Sequence, residues 1–94
     1  MPIFILLSTL TQQGVQTLKS NPERLRQVNE DIAELGCKVL HQWATLGGFD
    51  FVNVVEAPDI ATVAKVSVAL AARGSTRIET LPALEVEDFL RALE

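Results

Sequence analysis

The sequence contains few of the residues that build compact chemical sites. Among its 94 residues there is one cysteine, Cys37, and one histidine, His41. A single cysteine excludes an intramolecular disulfide framework. On one extended strand the two side chains lie about 13 Å apart, so a single chain cannot bring both to one metal ion. We therefore expect neither a metal site nor a cofactor.

Positive charge and long apolar runs are also scarce. Eight basic and twelve acidic residues give a net charge of −4, and no Lys/Arg cluster occurs. Nucleic acid is disfavoured as a partner, because phosphate binding needs a basic field. The apolar run Ile3–Leu7 is too short to span a bilayer, and no signal-peptide pattern opens the chain. We expect a cytoplasmic protein without membrane or nucleic-acid partners.

Hydrophobic residues, by contrast, make up 48% of the chain, and charged residues 21%. The length predicts one domain over residues 1–94. A domain of this size buries a lower fraction of its surface than a larger one. So generous an apolar share in so small a chain favours self-association.

Apolar periodicity and turn residues predict a mixed α+β fold. The predicted strands are Pro2–Ser8, Cys37–Leu46, Phe49–Glu56 and Ser75–Leu81. A loop is predicted at Thr9–Gly14, a helical turn at Val15–Lys19, and helices at Asn21–Leu35, Ile60–Arg73 and Glu85–Leu93. Gly36 is the predicted stop of the first helix and Asp59 the predicted cap of the second. The third helix is predicted to be apolar on the side that carries Val86, Phe89, Leu90 and Leu93. The βαββαβ order with a short C-terminal helix is that of a ferredoxin-like sandwich. Right-handed crossovers place both main helices on one face of the sheet.

The dipeptide Gly47-Gly48 predicts a two-residue hairpin turn. The cross-strand pairs that follow are Leu46–Phe49, Trp43–Val52, Gln42–Asn53 and Leu40–Val55. Both faces of the sheet are then mostly apolar, although a face exposed to water would carry polar residues at every second position. Because the helices cover one face, we expect a second copy to pack on the other and bury at least roughly 1,200–2,000 Å² in total.

The tripeptide Gly48-Phe49-Asp50 follows the predicted second strand. With it the chain resembles the GYD domain family, named for a Gly-Tyr-Asp tripeptide. Further stretches similar to the family are Thr11–Gly14, Asn21–Arg24, Val55–Asp59 and Thr76–Leu81. The resemblance implies a dimeric α/β barrel, in which two ferredoxin-like sheets close around a central space. It carries over no catalytic residue, and with Phe49 in place of tyrosine no role of a phenol hydroxyl transfers.

Candidate catalytic residues are His41, Asp50 and Arg77. His41 is either a structural residue or a general base in the central space. Asp50 either ties the hairpin through backbone N–H groups or acts as a carboxylate in a site. Arg77 shares a strand face with Glu79, either as an exposed ion pair or as a charged group inside the paired sheets.

Candidate ligand-binding residues are Gln42, Trp43, Asn53 and Glu79. The predicted register makes Gln42 and Asn53 cross-strand neighbours on an apolar face, where amides need hydrogen-bond partners if they are buried. They either satisfy each other or line a small-molecule site. Trp43 is either a core or interface anchor or one wall of a ligand pocket.

Two functions compete on these observations. The first is a small oligomeric module that binds a small molecule or mediates assembly through paired sheets. The alternative is a cofactor-independent oxygenase or isomerase, in which His41 or Asp50 moves a proton and Asn53 or Arg77 holds an oxyanion. The enzyme hypothesis requires His41, Asn53 and Arg77 to open onto one cavity.

Overall fold

The computed structural model describes residues 2–94. Its strands are β1 (Ile3–Leu10), β2 (Lys38–Ala44), β3 (Phe51–Glu56) and β4 (Thr76–Ala83). Its helices are α1 (Gln12–Ser20), α2 (Arg24–Glu34), α3 (Ile60–Ala71) and α4 (Val86–Ala92). The strands form one antiparallel sheet in the order β2-β3-β1-β4. The predicted ferredoxin-like α+β fold is confirmed.

One face of the sheet, called here the covered face, packs against the helices and carries the core. Phe4, Leu6 and Val55 supply it from the central strands β1 and β3. The helices contribute Ile32 from α2 and Val63, Val66 and Leu70 from α3. The opposite face, called here the open face, is not covered by α1, α2 or α3. It carries the alternate residues of the same strands, including Ile5 and Val54, which are only half-buried.

The predicted loop at Thr9–Gly14 is wrong, since β1 continues to Leu10 and α1 begins at Gln12. Thr11 caps α1 by accepting a hydrogen bond from the Gly14 N–H at 3.1 Å. Gly14 lies within α1 at the point where this helix closely approaches the chain just before β4. A Cβ atom at this position would clash with the Ser75 carbonyl oxygen.

The ends of α2 and α3 follow their predicted stop and start signals in most respects. The helix α2 begins at Arg24, slightly later than predicted, and Gly36 with φ 103° follows its end. Asp59 caps α3 by accepting hydrogen bonds from the Thr62 N–H at 2.8 Å and the Thr62 hydroxyl at 2.7 Å. These bonds stabilise the carboxylate and lower the pKa of Asp59 from its ordinary value.

The two-residue hairpin predicted at Gly47-Gly48 is also wrong. The β2 strand ends at Ala44 and β3 begins at Phe51, with a longer loop between them. The Thr45 N–H donates to the Asp50 carbonyl at 2.8 Å and its hydroxyl to the Phe49 carbonyl at 2.6 Å. These bonds close a longer loop in place of the predicted two-residue turn, so Leu46 and Phe49 do not form a cross-strand pair.

The predicted register holds on one side of an irregularity in β2 and fails on the other. Trp43 lies opposite Val52 and Gln42 opposite Asn53, as predicted. A β-bulge between Val39 and His41 then places Val39 opposite Val55, where Leu40 was expected. A bulge inserts one extra residue and moves everything beyond it to the other face. Val39 therefore packs against the core instead of sharing a face with His41.

At the C-terminal end, β4 does not stop at Pro82 but continues to Ala83. Proline is tolerated there because β4 is an edge strand and needs fewer backbone donors. The chain then runs past the end of the sheet into α4, in which no residue is buried. The radius of gyration is 14.2 Å, whereas a compact domain of this length has a radius of gyration of about 12 Å. The larger value is consistent with α4 extending away from the sheet and the other helices.

Candidate functional site

Three side-chain amides form a chain of hydrogen bonds on the covered face. Gln42 Nε2 donates to Asn53 Oδ1 at 2.7 Å and to Asn29 Oδ1 at 3.1 Å. Asn29 Nδ2 donates back to Gln42 Oε1 at 2.9 Å. The predicted contact between Gln42 and Asn53 is therefore present. Asn29, which α2 brings over the strands, completes the partners of Gln42.

The network borders a cavity of about 100 Å³ between the sheet and the helices α1 and α2. Most of its wall is apolar, with Leu25 and Val28 from α2 and Phe51 from β3. Its polar floor consists of Gln42, Asn53 and Ser8. Ser8 lies on β1 opposite Phe51, two residues along from the partner of Asn53, so the three polar side chains run diagonally across neighbouring strands.

Two groups on this floor have hydrogen-bonding capacity to spare. Asn53 is 6% exposed and Ser8 is 9% exposed. Among residues 2–94, Asn53 Nδ2 and Ser8 Oγ make no side-chain hydrogen bond, since Asn53 uses only its Oδ1 toward Gln42. Every fully enclosed side-chain nitrogen or oxygen of these residues has a partner, so the two unpaired atoms keep a small accessible area. Both groups are therefore available to a molecule in the cavity.

The charged residues that line this cavity are both arginines, Arg24 and Arg73. Arg24 donates to Gln27 at 3.0 Å, and Arg73 pairs with Asp31 at 2.8 Å. A guanidinium group has five N–H donors, so neither contact exhausts its arginine. No aspartate or glutamate from residues 2–94 lines the cavity. The Asp31 carboxylate offsets the charge of Arg73, so the positive charge that favours an anion comes mainly from Arg24.

Asp50 makes a structural contact. Its Oδ2 accepts a hydrogen bond from the Leu10 N–H at 2.7 Å, and its own N–H donates to the Ser8 carbonyl at 2.8 Å. Asp50 thus ties the loop between β2 and β3 to the end of β1. This is the backbone-tying role that the sequence offered as one of two interpretations.

The open face carries His41 and Trp43 side by side on β2. Their rings stack with centroids 5.3 Å apart and planes 10° apart. Trp43 remains 51% exposed. Beside them lie the half-buried apolar residues of the central strands, Ile3, Ile5, Leu7, Val52 and Val54. A contiguous apolar surface of this kind on a single chain is typical of a contact with another molecule.

Arg77 and Glu79 are exposed and lie on the open face of the edge strand β4, opposite Thr9 and Leu7 of β1. Within residues 2–94 they do not form the ion pair that was one of the two predictions for them. Both charges are therefore available to a molecule that covers this face.

The enzyme hypothesis requires His41, Asn53 and Arg77 to meet, and the structure separates them. Asn53 lies on the covered face, whereas His41 and Arg77 lie on the open face. His41 and Arg77 belong to opposite edge strands, three strand spacings or roughly 14 Å apart across the sheet, and the register also offsets them along the strands. Within one chain these residues do not share a cavity, and the hypothesis fails in that form.

Cys37 is also separated from His41. It lies just before β2, is 3% exposed and belongs to the core on the covered face. Burial raises the pKa of its thiol, and the nearby Asp59 carboxylate adds to the effect. In the described part of the chain no group of three or more His, Cys, Asp or Glu side chains could hold a metal ion.

The helix α4 presents a second apolar surface. The exposed fraction is 66% for Val86, 50% for Phe89, 47% for Leu90 and 69% for Leu93. The sequence predicted these residues on one side of the helix, and none of them belongs to the buried core. Across residues 2–94, no helix is long and apolar enough to cross a membrane.

Sequence reasoning missed Asn29, Arg24 and Arg73 as parts of the cavity. Asn29 carried a usable signal, because it follows Leu25 by four residues and thus falls on the inward side of α2. Arg24 and Arg73 carried no such signal. Only the packing of the helices brings the start of α2 and the end of α3 to the same cavity.

The fold and these surfaces define a ferredoxin-like α+β domain whose sheet is covered by helices on one face only. The chain belongs to the GYD domain family, whose pattern it matches over residues 4–93. It is 50% identical, over the full length of both chains, to the glutamine synthetase and cystathionine beta-lyase binding protein of Thermus thermophilus. Its fold is similar to the crystal structure of TTHA0845, also from Thermus thermophilus, with a TM-score of 0.58 and 25% identity, covering 90% of this chain and 95% of the other.

Proposed function

We propose that this chain is a binding module that pairs with a second copy through its open face and binds metabolic enzymes through α4. The observation that carries the proposal is the exposure of α4, whose four large apolar side chains are each 47–69% exposed. An isolated helix of this length is marginal in water, so α4 gains stability by packing on another protein.

The chemistry of α4 indicates the kind of surface that it fits. Glu87 and Asp88 lie in its first turn, so acidic groups border the apolar side. An amphipathic helix of this kind docks in an apolar groove, and a groove rimmed by basic residues complements it. The relative named for binding glutamine synthetase and cystathionine beta-lyase supports such enzymes as the partners here.

The partner proposal is tested with purified glutamine synthetase and cystathionine beta-lyase from the protein's own source. Titration calorimetry should show saturable binding of at least one enzyme, and the double substitution Phe89→Glu/Leu90→Glu should weaken it by at least about tenfold. Val15→Glu, which places a glutamate at an exposed apolar position of α1, is the control and should bind about as the parent does. The proposal would be overturned if the protein bound neither enzyme, or if the double substitution left the affinity unchanged.

The occupant proposed for the open face is a second copy of the chain. A twofold axis brings the same patch of both copies together, so the patch must be self-complementary. The open face meets this condition because its centre is apolar around Ile5 and Val54, while Arg77 and Glu79 supply both signs of charge at one edge. Without a partner, the exposed apolar area of the open face is expected to exceed the roughly 300–600 Å² of the largest apolar patch on a typical monomer.

Light scattering after size exclusion tests the pairing at micromolar concentration. The parent protein should run as a dimer or a multiple of dimers, and Ile5→Glu should run as a monomer because two buried carboxylates would face each other. Leu81→Glu, at an exposed position of β4, repeats the test where the risk of misfolding is lower. Val15→Glu on α1 is the control and should not change the mass. A monomeric parent would contradict the pairing and leave the enzyme-binding test intact.

A further inference from the structure

The cavity on the covered face contains an unusual combination of groups. Its walls are apolar, and its floor presents two polar atoms without a protein partner, Asn53 Nδ2 and Ser8 Oγ, on residues that are at least nine-tenths buried. Two positive charges, on Arg24 and Arg73, belong to its lining. Both atoms keep a small accessible area, so a bound molecule that accepts these hydrogen bonds replaces water at a mostly apolar site, where such bonds are stronger than in bulk water.

We propose that this cavity binds a small carboxylate with a short apolar body. Asn53 Nδ2 donates to one carboxylate oxygen and the Ser8 hydroxyl donates to the same group. The walls around Leu25 and Val28 contact the apolar part. This site goes beyond the proposed protein binding and does not depend on it.

Size limits the ligand. The cavity measures about 100 Å³, somewhat less than the ~150 Å³ apolar cavity that accommodates benzene. The enclosed part of the ligand therefore has roughly four to six non-hydrogen atoms, as in butyrate or isobutyrate. A bulkier acid fits only if the rest of it extends toward solvent.

Charge distinguishes a carboxylate from a neutral amide of the same shape. The lining carries two arginines and, from residues 2–94, no acidic side chain. Arg24 and Arg73 retain free N–H groups beside their contacts with Gln27 and Asp31. An anion is attracted by this field, whereas an amide offers only one acceptor oxygen and gains nothing from the charge.

The probe is isobutyrate, titrated at millimolar concentration into the ¹⁵N-labelled protein, with isobutyramide as the neutral isostere. The side-chain NH₂ signals of Asn53 should shift in a saturable way with isobutyrate, and isobutyramide should bind at least about tenfold more weakly. Equal binding of the two would overturn the carboxylate assignment. The absence of any saturable shift would overturn the site itself.

Three substitutions and one control locate the binding. Asn53→Asp keeps an oxygen acceptor for Gln42 but replaces the donor with a negative charge, so isobutyrate binding should fall at least tenfold. Ser8→Ala and Arg24→Gln should each weaken binding several-fold, and they keep the test valid if Asn53→Asp does not fold. Arg26→Gln removes the same charge from the same helix at a residue that pairs with Glu23 instead, and it should bind like the parent. Unchanged binding in both Ser8→Ala and Arg24→Gln would contradict the proposal.

Discussion

The two faces of the sheet are built from similar residues and meet different surroundings. Leu6 and Leu7 are neighbours on the central strand β1, yet Leu6 is 1% exposed on the covered face and Leu7 is only half-buried on the open face. The sequence of β1 does not anticipate this difference, because its apolar run has no polar alternation. Burial here is decided by where the helices lie, and the open face retains the composition of a buried surface without the cover.

The faces also differ in their polar groups. The covered face holds neutral amides, Gln42 and Asn53, each hydrogen-bonded to another side chain. The open face carries charges instead, on Arg77 and Glu79 at its edge. A buried charge costs far more than a hydrogen-bonded amide, so the charges lie where water or a partner can reach them. This distribution suits a face that is buried only on assembly.

The largest predicted effect compares the same substitution on the two faces. Leu6→Ala leaves a cavity in the core and should lower the free energy of unfolding by about 2–5 kcal/mol. Leu7→Ala removes the same atoms from a half-buried position, and at concentrations low enough to keep the chain monomeric it should cost clearly less. Urea unfolding at several protein concentrations measures both.

The concentration dependence of the Leu7 variant provides the sharper outcome. If a second copy covers the open face, the loss in Leu7→Ala grows as the protein concentration rises, because the parent gains stability by association. Equal losses for the two variants in the monomer would mean that the open face is already packed, and the distinction between the faces would not hold.

The second prediction concerns how the helical cover attaches to the sheet. Gly14→Ala places a Cβ atom against the Ser75 carbonyl, so α1 must move away from the start of β4. We expect a loss of about 1–3 kcal/mol in the free energy of unfolding. Gly48→Ala is the control, since a Cβ atom there meets nothing within 4 Å and Gly48 has no positive φ. Similar losses in both variants would show that the contact at Gly14 is not the cause.

The third prediction uses pH to probe α3, the other helix of the cover. Hydrogen bonds from the Thr62 hydroxyl and N–H lower the pKa of Asp59 below its ordinary value of 3.8. A carboxyl group with a lowered pKa stabilises the fold above its ordinary pKa, and this contribution is lost as the pH falls through the folded value. Asp59→Asn keeps a capping oxygen but does not titrate.

Unfolding measured from about pH 2 to 6 should therefore show a steeper acid loss in the parent than in Asp59→Asn. Above about pH 5 the two should change with pH in parallel, because Asp59 is ionised in both the folded and the unfolded parent. Identical slopes below about pH 4 would mean that the hydrogen bonds to Thr62 contribute nothing measurable.

Sequence reasoning recovered the parts of the fold that depend on local signals. The caps and stops at Asp59 and Gly36 were predicted, and so was the pairing of Gln42 with Asn53. The bulge near Leu40 was not, because one extra residue in a strand has no local signature and exchanges the faces of every residue beyond it. Gly14 led to the wrong prediction of a loop, since a glycine after polar residues is typical of loops, whereas in this fold it permits a close helix contact.

The candidate site was recovered only in part, for a related reason. Gln42 and Asn53 stood out as amides among apolar residues. Their surroundings depend on tertiary packing, because Asn29, Arg24 and Arg73 come from distant parts of the chain. The sequence also placed His41, Asn53 and Arg77 in one hypothetical site, which the two faces of the sheet keep apart.

The smallest predicted effect on a single chain is that of Arg77→Glu on the open face. Arg77 is exposed and pairs with no acidic group of residues 2–94, so the free energy of unfolding of the monomer should change by less than about 1 kcal/mol. Association should respond more strongly, because the edge of the paired face would then carry glutamates at positions 77 and 79 on both copies. We expect the dissociation constant of the dimer to rise about tenfold, measured by sedimentation at several concentrations. Arg26→Glu makes the same change on α2 and should leave association unchanged; if Arg77→Glu also leaves it unchanged, the second copy does not cover this edge of the sheet.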